Sequence, residues 1–311
     1  DYRAAVVEND LFILNASYLY LYSLHGDLKE TRQLAYSKPI LKSNDYFALL
    51  YENGGTRFRV DRQSGNVYTK TMDQAIITGA ISSTGVVALV TESDLYSCVL
   101  QIFDKNGKKL YTRNCIERLS DIAFNEDSTG CVFTELSAVD GDVTATLKCI
   151  QFDTTDYTWE SEPLTTLSLA LSLTENNHAC VIGDTTCAYY DDKGNLESQY
   201  DYGGTLENYA VDAGNAAVLI RDEEKRETKL VIFPGSASEP IEIVVNGDAK
   251  AVQVYGDRVY MMNAETVIAY NFSGKAVATV RLDSTYDSFL KKDNYLFLLR
   301  YDKIDRVDFK E

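Results

Sequence analysis

Residues 98–115 read CVLQIFDKNGKKLYTRNC. Two runs carrying β-branched and aromatic residues flank Asp104-Lys105-Asn106-Gly107. An Asp side chain can cap a tight turn, and a Gly three positions on can take the left-handed conformation. The stretch therefore predicts a β-hairpin with a cysteine at each outer end. The same turn signal recurs in FRVDRQSGN, AYYDDKGN and IAYNFSGK, with Gly65, Gly194 and Gly274 in the place of Gly107. QFDTTDY keeps the acid without the glycine, and VIFPGS has Pro234 before Gly235.

A second signal runs in phase with the first. A turn dipeptide precedes an apolar strand at Leu11, Tyr46, Val86, Cys131, Ala179, Ala216, Arg258 and Tyr295, eight times at intervals of 35 to 48 residues. Each dipeptide is rich in Asn, Asp or Gly (Asn9-Asp10, Gly214-Asn215, Gly256-Asp257, Asp293-Asn294), as a tight hairpin needing positive φ requires. Self-similarity at about 40 residues marks a repeat architecture.

Each unit has room for four strands. In the third, AIITGAISS, VVALVTES, CVLQIFD and KKLYTRNC follow one another through short turns. In the fifth, LSLALSL (Leu167 to Leu173) alternates Leu with Ser or Ala, a period of two that suits an inner strand crowded near an axis. Four antiparallel strands per repeat give an all-β chain: a β-propeller of eight four-stranded blades, the alternative being seven blades and an irregular segment. No linker composition interrupts residues 1–311, which are expected to form a single domain. The last unit ends after three strands, so its outer strand is expected from residues at or before Asp1.

The 311 residues carry 30 Lys and Arg against 47 Asp and Glu, a net charge of −17 that repels nucleic acid and anionic membrane. No apolar run is long enough to span a bilayer. The sequence opens at Asp1 without Met, basic n-region or apolar h-region, so an upstream leader or anchor is the expected membrane link. Twenty-two Tyr, four Pro and one Trp suit strands better than helices.

The six cysteines fall as three potential hairpin pairs: Cys98 with Cys115, Cys131 with Cys149, and Cys180 with Cys187 across a turn at Gly183-Asp184. Opposed β-carbons lie about 4.5–5.5 Å apart, which modest closing turns into disulfide geometry. Such bonds form mainly outside reducing compartments. Each pair depends on register, because a single bulge sends the two side chains to opposite faces. The other reading is six buried free thiols.

Chemistry is sparse. His25 and His178, the two histidines, both sit in turns. GxSxG, HExxH, the Walker pattern, CxxC and the full EF-hand loop do not occur, so neither a metal site nor a cofactor is expected. Acidic pairs such as Asp191-Asp192 and Asp222-Glu223 belong to turns. Asn15 and Asn271 begin glycosylation sequons, which matter only in a eukaryotic secretory chain.

DRQSGNVYTK (Asp61 to Lys70) and FDKNGKKLYTRN resemble the repeats of quinoprotein-like eight-bladed propellers. There an Asp-x-x-Thr/Ser-Gly turn precedes a strand ending in a docking Trp; here Tyr68 or Tyr111 falls near that place. The superfamily's quinone-binding dehydrogenases carry a vicinal Cys pair and a calcium site that this sequence does not. The resemblance is nearer to non-enzymatic members, such as the periplasmic lipoprotein of the outer-membrane assembly machine. The pattern is also similar to membrane-anchored propellers outside the cell in Gram-positive bacteria. WD40 repeats and sialidase Asp-boxes are excluded by their missing signatures.

These points lead to a non-catalytic binding or scaffold propeller outside the cytoplasm, anchored upstream, with a protein or cell-envelope glycan as partner and no nucleic acid. Its binding face is expected at the second-to-third-strand loops, where ELSAVDGDVTA and RDEEKRE are long. Tyr51, Asp94, Arg221, Glu223 and Tyr301 lie on these loops or strand ends as candidate binding residues. The alternative is a polysaccharide lyase or hydrolase using carboxylates and tyrosines in a central channel, which requires acids of raised pKa.

Overall fold

The computed structural model describes residues 3–235, 239–246, 248–301 and 303–311. Among them there are 32 strands and no helix, and the fold is an eight-bladed β-propeller. The chain divides into two compact units, Asp1–Thr165 and Thr166–Glu311.

In the first unit, blade 1 is built from Arg3–Val7, Asp10–Leu14, Tyr18–Ser23 and Leu28–Gln33. Blade 2 is Pro39–Ser43, Ala48–Glu52, Arg57–Arg62 and Gly65–Thr71, and blade 3 is Ile76–Ile81, Val87–Thr91, Cys98–Phe103 and Lys109–Cys115. Blade 4 is Arg118–Phe124, Gly130–Val139, Asp142–Gln151 and Tyr157–Glu160, with Leu164–Thr165 also on its third strand.

The second unit opens with blade 5: Ser168–Leu173, Ala179–Gly183, Thr186–Tyr190 and Leu196–Asp201. Blade 6 is Thr205–Asp212, Asn215–Asp222, Glu227–Phe233 and Ile241–Val245, and blade 7 is Ala251–Tyr255, Arg258–Met262, Thr266–Asn271 and Ala276–Arg281. Blade 8 has Ser288–Lys292, Tyr295–Arg300 and Lys303–Asp308, and no fourth strand pairs with it among the described residues. Every ladder is antiparallel, and all but the one made by Leu164–Thr165 join chain neighbours, as short turns require.

The eight expected second strands begin within two residues of their sequence positions. The turns at Gly256-Asp257 and Asp293-Asn294 sit as expected, whereas two others move back by one residue, to Glu8-Asn9 and Ala213-Gly214. LSLALSL forms the inner strand of blade 5, but a register shift between Ser168 and Ala170 breaks its strict alternation. The Asp-x-x-Gly turn of blade 3 forms as read: Asp104 Oδ1 accepts from the amides of Asn106 (2.8 Å) and Lys108 (2.9 Å).

The second strands are buried on both faces, and alternate residues feed different cores. Ala48 and Leu50 pack with Phe12 and Leu14 of blade 1, whereas Leu49 and Tyr51 pack with Val87 and Leu89 of blade 3. A strand apolar on both sides thus ties its blade to two neighbours. Each fully buried Val or Leu contributes about 1.5–3 kcal/mol.

Outer strands lock onto the next blade's turn. The Tyr68 ring packs edge-to-face on Phe58, with centroids 5.8 Å apart. It also lies under Gly107, where an added Cβ would meet the ring at 2.8 Å. Gly107 has φ 85°, so the turn needs glycine for its conformation and for this contact. Tyr111 repeats the arrangement against Phe152 (5.9 Å). Blade 1 uses charge instead: Arg32 reaches the fully buried Asp61 at 3.1 Å, and Arg59 meets the same carboxylate at 2.6 Å.

Candidate functional site

The second-to-third-strand end of blades 3 and 4 carries the most distinctive surface of the first unit. In blade 3 the connection after Thr91 is short and polar. Ser93 Oγ accepts from the amides of Leu95 (3.2 Å) and Tyr96 (3.1 Å), a local turn that turns both side chains outward. Leu95 is 86% exposed. The following link into blade 4 presents Ile116, 79% exposed. Ser97 Oγ donates to the Ile116 carbonyl at 2.6 Å, and Arg118 reaches both the Ser97 carbonyl (3.0 Å) and Glu92 (3.3 Å). Leu95 and Ile116 are thus exposed aliphatic side chains on backbone tied together through Ser97.

Blade 4 adds a projection. ELSAVDGDVTA, expected as a loop, is instead the end of two ten-residue strands closed by Asp140-Gly141. Asp140 (φ 52°) and Gly141 (φ 91°) supply the two positive φ angles of a primed turn. The first-strand partner ends at Arg118, opposite Leu136. Ser137 to Val139 run on beyond it, about 10 Å at 3.3 Å per residue. Val139 and Val143 are exposed there. The pairing of Arg118 with Leu136 directs this hairpin past Ile116. Asp94, Glu117, Asp140 and Asp142 are each next in sequence to one of these apolar residues and give the end an acidic rim.

A groove of about 510 Å³ opens beside it, between the outer strand of blade 2 and blade 3. Lys70, Asp73, Gln74, Asp94, Gln101 and Lys109 are among its lining residues. Gln74 Nε2 donates to Asp94 Oδ2 at 3.4 Å, so this candidate residue joins the groove to the rim.

The other candidate residues lie on blades 2, 6 and 8. Tyr51 is corrected: it is 3% exposed in the second strand of blade 2, because that strand is buried on both faces. Burial is the main cause that raises its phenol pKa. Arg221 is half-buried on blade 6, and its Nη1 donates to Thr228 Oγ1 at 3.4 Å. Glu223 is exposed in the turn that follows, and Tyr301 is exposed in the turn of blade 8. Leu95, Tyr96 and Ile116 escaped the sequence reading because an apolar residue beside a strand reads as core. The signal was their position, in a polar turn and one residue past a strand end.

Two of the three cysteine pairings are corrected by register. Cys131 lies opposite Ile150, and Cys149 opposite Val132, so the two thiols project to opposite faces. Cys180 lies opposite Tyr189 and Cys187 opposite Ile182, because the turn is Asp184-Thr185, one residue later than expected. Their sulfurs approach to 3.9 Å, but along a diagonal whose backbones stand about 7–8 Å apart. Cys98 and Cys115 are directly opposed.

The hydrolytic alternative requires acids of raised pKa. Among the described residues, Glu30, Glu52, Asp104, Asp127, Asp191 and Asp305 have displaced titrations, and all move down. A hydrogen bond from Arg32 lowers Glu30; for Glu52, burial is outweighed by the hydrogen bonds of Arg57 and the Ser37 amide. No group of three or more metal-ligating side chains occurs among the described residues, and no helix is long and apolar enough to cross a membrane.

A family model described as a family of unknown function (DUF5711) matches residues 3–309. No curated protein matches. Among solved structures, BamB from Moraxella catarrhalis superposes with a TM-score of 0.63 at 12% identity, over 99% of this chain and 94% of its own. Sqt1 from Saccharomyces cerevisiae gives 0.62 at 11% identity, over 94% and 90%. Virginiamycin B lyase from Staphylococcus aureus gives 0.57 at 14% identity, over 84% and 91%. At these identities the likeness is one of fold.

Proposed function

We propose that this chain, which belongs to DUF5711, a family of unknown function, is the single binding domain of an extracytoplasmic, membrane-anchored scaffold protein. Its partner is a protein, docked on the second-to-third-strand end of blades 3 and 4. The observation that carries this reading is the grouping of Leu95, Ile116, Val139 and Val143, all exposed, around a hairpin projecting from a rigid sheet. Exposed apolar side chains on fixed backbone need little backbone ordering when covered, and a rigid frame with variable loops is where binding sits. The acidic rim selects a partner whose apolar contact is flanked by Lys or Arg and disfavours nucleic acid.

The test is site-specific photo-crosslinking in the native host, with the probe at position 95, 116 or 139 of the full-length protein. Control probes go at 46 and 105, which lie at the opposite strand ends. A discrete adduct from the first set alone supports the reading; equal adducts from both sets, or none, refute it. Anchoring is tested by labelling intact cells with a membrane-impermeant amine reagent. Protection of the domain until the membrane is opened would place it inside and end the extracytoplasmic part.

A further inference from the structure

The geometry points to a redox-active dithiol at Cys98 and Cys115 that closes into a cross-strand disulfide beneath the exposed end of blade 3. This inference is independent of the docking reading, since it concerns covalent chemistry and not a partner.

Three observations converge. The two residues are direct partners in the ladder of Cys98–Phe103 with Lys109–Cys115, and this is the first pair of that ladder. Both thiols point into one core cluster, with Val90, Leu100, Leu119 and Phe133. Cys98 Sγ donates to the Glu117 carbonyl (3.4 Å) and Cys115 Sγ to that of Arg113 (3.6 Å), so both thiols are held at the same end of the ladder. Opposed strand positions bring β-carbons close enough for a disulfide with only modest closing, unlike a diagonal or an opposite-face pair. The other four cysteines fail that criterion in this same structure.

Reactivity follows the same arrangement. Its neighbour Cys115 is the largest influence on Cys98 and moves its thiol down against burial, with the Leu119 amide acting in the same direction. Cys115 goes the opposite way, pushed up first by its hydrogen bond with Cys98 and then by burial. In one order of exchange Cys98 attacks first. Its thiolate displaces one thiol from a small disulfide such as oxidised glutathione, giving a mixed disulfide at Cys98. Cys115 loses its proton and attacks the Cys98 sulfur, expelling the second thiol. Two electrons and two protons pass to the oxidant, and one sulfur–sulfur bond replaces another. Cys98 is 0% and Cys115 4% exposed, so exchange occurs during folding or when the strand ends next to Ile116 open.

The bond would staple the base of the surface that presents Leu95 and Ile116, because Ser97 and Ile116 immediately follow the pair outward. Its site can be read by mass. Trypsin leaves Cys98 in residues 71–105, Cys115 in 114–118, Cys131 in 119–148, and the other three in 149–193. The reduced chain is incubated in graded glutathione redox buffers, both folded and during refolding from urea, then alkylated and digested without reductant. The expected product is the 71–105/114–118 conjugate, with two of the six thiols lost to titration. The conjugate persists in the Cys180→Ala/Cys187→Ala variant and vanishes in Cys98→Ala and in Cys115→Ala. Full alkylation of both peptides at every ratio, folded and refolding, overturns the proposal. So does a disulfide confined to 149–193. Retention of Leu95 crosslinks with loss of the conjugate would sink this proposal and leave the docking reading standing.

Discussion

Substitution of Asp61 by Ala tests whether charge performs between blades 1 and 2 the locking role that Tyr68 performs between blades 2 and 3. Asp61 is fully buried and accepts from Arg32 (3.1 Å), Arg59 (2.6 Å) and Asn66 Nδ2 (2.8 Å). Arg32 is itself 6% exposed at its side chain, and Arg59 13%. Removing the carboxylate strands two guanidinium groups in a site water barely reaches. Breaking a buried pair from one side costs about 3–5 kcal/mol. Arg32 keeps its pairing with Glu30 and the carbonyls of Arg62 and Gln63, which places the loss near the lower end, about 3 kcal/mol. With a urea slope of about 3 kcal/mol/M, the midpoint falls by roughly 1 M. Urea titration followed by tyrosine fluorescence measures it. Arg118→Ala is the control, because its ion pair with Glu92 is nearly half exposed on both sides and such pairs contribute about 1 kcal/mol or less. The cause is isolated by Arg32→Met in the Asp61→Ala background, which removes a stranded cation and recovers part of the loss. If Asp61→Ala is no worse than Arg118→Ala, or Arg32→Met deepens the loss, the buried network is not what joins these blades.

Three further outcomes are expected. The lowered carboxyls contribute stability that is fully present above their unfolded values of 4.5 for Glu and 3.8 for Asp, and lost as pH falls through their depressed folded values; urea midpoints should be flat above pH 5 and decline below about pH 4.5, and a maximum at pH 4 would contradict the assignments. Tyr189→Phe removes a phenol that donates to the carbonyls of Gly214 (2.8 Å) and Phe233 (3.0 Å) inside the protein; it should cost about 1–3 kcal/mol in the same titration. Gly107→Ala should cost about 2–3 kcal/mol, from its left-handed φ and the Tyr68 ring, against about 1 kcal/mol for Gly26→Ala, whose φ is 98° with no neighbour in the way; equal losses would remove the ring from the account.

The fold was legible because its signals are local. A dipeptide that must bend the chain, followed by a strand such as ALLYE or ACVIG that is apolar on both faces, fixes both the hairpin and its burial. What failed depended on one-residue differences. Cys131 and Cys149 flank AVDGD almost symmetrically, yet the turn at Asp140-Gly141 offsets them, and in a strand an offset of one reverses the face. The turn at Asp184-Thr185 did the same to Cys180 and Cys187. Tyr51 was misplaced for a related reason: exposure at a strand end depends on how far the neighbouring blade reaches. The apolar docking end was invisible because exposure of Leu95 and Ile116 is a property of where the strands stop.

Blade 8 leaves a row of backbone donors and acceptors along Lys303–Asp308 without a fourth strand among the described residues. Such a border recruits extended segments indiscriminately unless it is guarded. Here Lys303, Asp305, Arg306 and Asp308 put four charges of both signs on six residues. An oily, amyloid-prone segment laid along that border would have to strip water from each of them. Charges so spaced along Lys303–Asp308 discourage self-association there.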